Sequence, residues 1–150
     1  MIKNILLIFT ILFFTNLTHG QILEIDIDST LFNKKTGDVY HSDSTGATLI
    51  LILLPTNYNT ALKGMLDQSN KKITIIDKGE LKHSETNRIY YKKGTGVKND
   101  KNETEIIKSY LIEYSDNQSV LLSAIYKNEH DKLIGDSVDL TAKSIKPSKK

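Results

Sequence analysis

Cysteine and tryptophan are absent from this 150-residue chain, and proline occurs only at Pro55 and Pro147. Without cysteine there is no disulfide framework, no thiolate nucleophile or metal ligand, and no residue to carry a lipid after a leader. Stability has to come from packing. Neither sign of charge dominates either. Residues 1–20 contain Lys3 and no acid, so 19 basic residues face 18 acidic ones in the remainder. Such a balance supplies no long-range attraction toward nucleic acid or an anionic membrane. After Phe14 no apolar run approaches the about 20 residues needed to cross a bilayer. The rest is an ordinary globular composition, 39% hydrophobic and 25% charged, with room for one core.

Residues 1–20 stand apart from that domain. Lys3 supplies a positive start, Ile5 to Phe14 is apolar except for Thr10, and the stretch to Gly20 turns polar and ends small. This is the pattern of a signal peptide, with cleavage expected after Gly20 to leave Gln21 first. The order resembles that of small exported proteins of Bacteroidota. The expected organisation is a signal peptide over 1–20, one domain over 21–146 and a loose tail over 147–150. The expected location is the periplasm or the extracellular side, not as a lipoprotein and with no membrane span after signal removal.

The mature chain reads mostly as strands. Ile22 to Asp28 alternates apolar Leu23, Ile25 and Ile27 with acidic Glu24, Asp26 and Asp28, which predicts a strand with one wet face. A short strand is expected at Asp38 to His41, then a turn over Ser42 to Gly46. Ala47 to Leu54 is apolar on both sides and stopped by Pro55, as in a buried strand. Asn57 is a candidate N-cap for a helix over Tyr58 to Gln68, with Tyr58, Ala61, Leu62, Met65 and Leu66 on one face and Gly64 marking close packing. Lys71 to Asp77 is expected as a strand that Lys78-Gly79 turns or breaks before Glu80 to His83. Another strand follows at Arg88 to Lys93 after a turn at Ser84 to Asn87, and a mobile loop follows at Gly94 to Asn102. Thr104 to Lys127 reads as a hairpin turning at Asp116-Asn117. Pairing Ser115 with Gln118 would set Leu111 against Leu122 and Ser109 against Ala124. A closing helix over Glu129 to Ile145 would bury Leu133, Ile134, Ser137, Val138, Thr141, Ala142 and Ile145. The sum is an α+β fold, an antiparallel sheet of about six to eight strands with two helices on different faces.

Reactive constellations are scarce. His41, His83 and His130 lie in separate elements without metal-ligand spacing, so no metal site is expected. No GxSxG elbow surrounds any serine, and Gly94-Thr95-Gly96 lacks the further glycine and Lys-Ser/Thr of a phosphate loop. No catalytic residue and no cofactor is assigned on this basis. The best binding candidate is a polar, aromatic edge formed by Tyr90, Tyr91, Lys92, Lys93, Gly94, Thr95, Gly96 and Lys98, because loops on a rigid sheet commonly carry function.

The YKKGTGVKN segment, the hairpin YLIEYSDNQSVLLSAIYK and the closing LTAKSIKPSKK together resemble the PsbP and DcrB-like group. The resemblance covers the C-terminal half, and the tryptophan-bearing N-terminal segment of that group has no counterpart here. It implies an antiparallel sheet sandwiched between helices and an accessory or binding role, with no catalytic residue carried over. The expected function is therefore that of an exported, non-enzymatic binding or accessory protein whose partner is another envelope or secreted protein. The alternative is a periplasmic inhibitor or immunity protein that blocks a partner enzyme.

Overall fold

A computed structural model describes residues 23–67, 72–81, 87–98 and 103–147. The expected signal peptide and its cleavage point, the Ser84 to Asn87 turn apart from Asn87 itself, His83 and the last three residues of the tail lie outside them. The described residues form a seven-stranded sheet, antiparallel throughout, in the order β1-β2-β3-β7-β6-β5-β4. Its strands are β1 (Lys34–Thr36), β2 (Val39–His41), β3 (Thr48–Leu54), β4 (Ile73–Leu81), β5 (Ile89–Lys98), β6 (Glu103–Ser115) and β7 (Gln118–Lys127). Helix α1 (Tyr58–Asp67) links β3 to β4, and α2 (Asp131–Ser144) follows β7 after a single 3-10 turn at Asn128–His130. The α+β class and the two helices agree with the sequence reading.

Local chemistry explains the punctuation. Gly37, at φ 58°, closes the β1–β2 hairpin, and Gly46, at φ 70°, ends the turn in which its N–H donates to the Ser42 carbonyl at 2.9 Å. Asn57 caps α1, its Oδ1 accepting the Thr60 N–H at 3.0 Å.

The helices cover opposite faces of the central strands. Lys93 and Lys108 reach Asp131 and Asp139 of α2, whereas Lys92, one residue along β5, reaches the Met65 carbonyl of α1. Strand alternation turns that difference into a difference of face. Under α2, Leu49, Leu51, Ile89, Tyr110, Ile112, Val120, Leu122 and Tyr126 pack with Ile134, Val138, Ala142 and Ile145 into the main core. Under α1, Tyr58 and Leu111 are fully buried but stand outside that cluster.

Six expectations need correction. Residues 23–28 run extended with Leu23, Ile25 and Ile27 on the core, but they form no ladder; the Asp26 N–H goes to the Ser144 hydroxyl at 2.8 Å. The β6–β7 hairpin does pair Ser115 with Gln118, yet the register then shifts so that Leu111 faces Leu121 and Ser109 faces Ser123. Tyr114 is an extra residue on β6, a bulge that places its ring in the core. Strand β4 continues through Lys78-Gly79, its irregularity lying instead between Ile75 and Asp77. Gly94 to Lys98 belong to β5, because β4 and β6 flank Gly94 to Gly96 and β6 pairs with Val97 and Lys98; residues 99–102 lie outside the described ones. Finally, Leu133 is 56% exposed and faces away from the sheet, and an added side chain at Gly64 would meet nothing within 4 Å.

Candidate partner-binding end of the sheet

The candidate residues of β5 fall into two sets because a strand alternates its side chains. Tyr91, Lys93 and Thr95 share the α2 face, while Tyr90, Lys92, Gly94 and Gly96 share the α1 face. Lys98 closes the strand opposite Glu103. From Ile89 to Gly96 strand β5 is flanked on both sides, so that stretch is not itself the edge that the sequence suggested; the edge is β4. Gly94 is required by this arrangement. A Cβ there would lie 2.5 Å from Ile73 Cγ2 and 3.1 Å from the Thr74 carbonyl, so the missing side chain is the seat into which Ile73 and Ile75 lean.

On the α2 face the candidates join a half-buried polar network. Lys93 Nζ donates to Asp131 at 2.5 Å, and the Tyr126 hydroxyl donates to the other oxygen of that carboxylate at 2.9 Å. Lys108 Nζ, 2.8 Å away, and the Tyr110 hydroxyl both donate to Asp139. The Tyr91 hydroxyl reaches Asp77 at 3.0 Å, and the Tyr91 ring lies 6.4 Å from that of Tyr110. Lys108 is within cation–π range of both rings, at 5.9 and 5.4 Å. Gly135 sits between the two α2 aspartates, where a Cβ would come within 3.4 Å of the Tyr126 hydroxyl and 3.5 Å of Asp131.

Electrostatics follows from these contacts. Burial first, then hydrogen bonding to aspartate, pushes the Tyr110 and Tyr126 hydroxyls well above the usual phenol range, so both are neutral donors. Burial raises the Asp131 carboxyl, but the bonds from Lys93 and Tyr126 outweigh it and hold the group below the usual carboxylate range. Lys92 is lowered, chiefly by burial and further by Lys78. Each donor of the α2 network already serves a carboxylate, so the arrangement clamps a helix to a sheet. It poises no nucleophile beside a base. His41 contacts Thr48 at 3.3 Å and His130 lies beside Glu129 at 3.5 Å, so neither converges with the network. Among the described residues, no three His, Cys, Asp or Glu side chains gather at one point.

The surface feature of this end is β4. It is nine residues long, Thr74 to Lys78 are all exposed, and Ile75 and Ile76 are 44% and 52% accessible. Leu66, at the end of α1, is another exposed large apolar residue; it follows Met65, whose carbonyl Lys92 binds at 2.7 Å. At the other end of the strands a cleft of about 310 Å³ opens between Asn57, Asn59, Arg88, Glu113 and Asp116. Its cation is already engaged. Arg88 clasps Glu113 through two nitrogens at 3.1 and 2.9 Å, bonds Asn59 at 3.0 Å and lies 4.5 Å over the Tyr58 ring. The Tyr58 hydroxyl is raised to about 12, mainly by burial.

Sequence reasoning missed Ile75 and Ile76 as surface residues and missed the two α2 aspartates. Both had a signal. Adjacent isoleucines in KKITIID break strict alternation, as a bulge does. Asp131, Gly135 and Asp139 stand four apart, on one stripe of a helix.

No protein-family model and no curated protein matches this sequence. Among solved structures, the chain is similar to LpqN, described as involved in cell envelope biogenesis of Mycobacterium tuberculosis. The TM-score is 0.49 at 16% identity, over 72% of this chain and 68% of that one. A likeness at this level transfers no function, and no family model bears out the resemblance to the PsbP and DcrB-like group.

Proposed function

We propose that this chain is an exported, non-enzymatic binding or accessory protein of the periplasm or cell surface, and that it captures another envelope or secreted protein with the β4–β5 end of its sheet. The signal-peptide pattern of residues 1–20 supports export. The observation that carries the binding site is the exposed pair Ile75-Ile76 on a long outer strand, since apolar side chains grouped at a sheet edge mark contact surfaces. The Gly94 seat lies opposite Ile75, and Lys92 and Tyr90 lie further along, opposite Lys78 and Glu80.

The test is affinity capture from the envelope fraction of the source cells, with the wild-type protein and the Ile75→Lys/Ile76→Lys variant compared by mass spectrometry. One partner held by the wild type and lost with the variant, at an unchanged thermal midpoint, is the expected result. Undiminished capture by the variant moves the site elsewhere, and the absence of any specific partner refutes the binding role. If the partner is an enzyme whose activity falls on binding, the accessory reading gives way to that of an inhibitor or immunity protein.

A further inference from the structure

We infer that β4 receives its partner by strand addition, and that its charges choose the partner by rejecting a second copy of this chain. The occupant is an extended segment of another polypeptide, antiparallel to Ile73–Leu81. It carries an apolar side chain opposite Ile75, a basic one opposite Asp77, an acidic one opposite Lys78 and a basic one opposite Glu80. This rests on the reading of the sheet end given above and specifies its chemistry.

The two outer strands of the sheet are unequal. Strand β1 has three residues and offers little ladder, whereas β4 has nine. Around the irregularity at Ile76, the β5 partners assign the faces. Ile73, Ile75, Lys78 and Glu80 lie opposite Gly96, Gly94, Lys92 and Tyr90, on the α1 face. Thr74, Asp77, Gly79 and Leu81 lie opposite Thr95, Lys93, Tyr91 and Ile89, on the α2 face. A flat, apolar strand of this length would pair with itself. Two copies joined edge to edge in antiparallel fashion are related by a two-fold axis perpendicular to the sheet, so only residues of the same face come opposite each other. With Ile76 bulged out, the two longest registers that satisfy this rule are centred on Asp77 and on Lys78. Each sets that residue against its own copy. Like charges directly opposite are destabilising, so both long registers are disfavoured. The registers that avoid the clash, centred on Ile75 and on Gly79, are shorter and pair five of the eight ladder positions.

The same charges favour a foreign strand of opposite pattern. Every cross-strand pair that repels in self-pairing attracts there, and the contact with Ile75 remains; among the main-chain donors, the Lys78 N–H already serves Asp77 Oδ1 at 2.9 Å, so a new ladder draws on the others. Bulges and charged residues ordinarily protect an edge strand. Here that protection is selective, because it penalises this strand's own sequence and leaves its complement acceptable.

The probe is a fluorescein-labelled peptide, Lys-Thr-Glu-Lys-Val-Thr-Val, compared by anisotropy with its charge-reversed form, Glu-Thr-Lys-Glu-Val-Thr-Val. The wild-type protein should bind the first in a saturable way, with a preference of about tenfold over the second. The variant Asp77→Lys/Lys78→Glu/Glu80→Lys should invert that preference. A control independent of any variant is backbone N-methylation of the first peptide on alternate residues, which should abolish binding in one frame and spare it in the other. By sedimentation the wild type should be monomeric, and Asp77→Thr/Lys78→Thr should self-associate. Equal affinity for both peptides, indifference to N-methylation, no saturable binding, or a wild-type dimer paired through β4 would each overturn the inference. If envelope capture still depends on Ile75 and Ile76 when the peptide fails, strand addition falls and the binding role stands. Loss of both removes the binding role as well.

Discussion

Under α2, the side chains of β3, β5, β6 and β7 meet four apolar residues at and just beyond the helix, and at its margin two lysines and two tyrosines are bound to two aspartates. Under α1 the same strands present Ser109 and Ser123, bonded to each other at 2.9 Å, and a ten-residue helix whose only fully buried side chain is Tyr58. One sheet therefore carries a closed face and a half-covered one. The difference arises from the helices. A 14-residue helix with buried Ile134, Val138 and Ala142 removes more apolar surface from water than a ten-residue helix that fully buries only Tyr58. Stability is expected to concentrate on the closed face, whereas the exposed apolar residues occur on both sides, Leu133 and Leu140 on α2 and Leu66 on α1.

The largest expected effects test that division directly. Leu122→Ala, beneath α2, should cost about 3 kcal/mol in urea unfolding, while Leu62→Ala, in α1, should cost roughly half as much or less. Comparable losses would mean that the faces share the load. Next comes the ionic margin. Asp139→Ala strands Lys108, which is 9% exposed, and should destabilise by about 3 kcal/mol; adding Lys108→Met should recover most of that loss, because the isolated charge is then gone.

These expectations depend on features that the sequence displayed unequally. Buried strand β3 and the Asn57 cap were readable because apolar runs and cap residues act locally. The β6–β7 register was not, since nothing in YLIEYSDN declares that Tyr114 will bulge; the turn predicts pairing at Ser115 and then fails by one residue. Glycines misled in both directions. Gly94 and Gly96 looked like a loop, yet β4 and β6 on either side make them strand, and a demand for space from Ile73 explains Gly94. The candidate residues Tyr91 and Lys93 were visible by type, but their partners Asp77 and Asp131 lie 14 and 38 residues away, and only the fold joins them.

A subtler contrast is pH dependence. The Asp131 carboxyl is held low in the folded state, so its contribution is present above about pH 4 and is lost as the pH falls through the folded value. Glu113, lowered chiefly by its bond to Arg88, behaves in the same sense. Asp131→Asn should therefore flatten the acid limb of stability measured between neutral pH and about pH 2. An unchanged acid limb would remove Asp131 from the clamp. The smallest effect concerns the helical glycines. Gly64→Ala should raise stability by about 0.5–1 kcal/mol, since the site is open, whereas Gly135→Ala should gain less because its methyl group enters the space between Tyr126 and Asp131.

Strands β3 and β4 are joined by a single helix, yet three strands stand between them in the sheet, and those three are the last to be synthesised. A chain delivered from its N-terminus therefore presents β3 long before β7 exists to pair with it, and β4 before β5 does. The N-terminal half has no sheet to complete on its own, because its longest strand gains a full-length neighbour only when Gln118–Lys127 arrives. Such long-range closure places the completion of the sheet late in folding. For a polypeptide exported as proposed, through a narrow translocation channel, late closure is useful: the chain stays threadable until its final hairpin emerges on the far side.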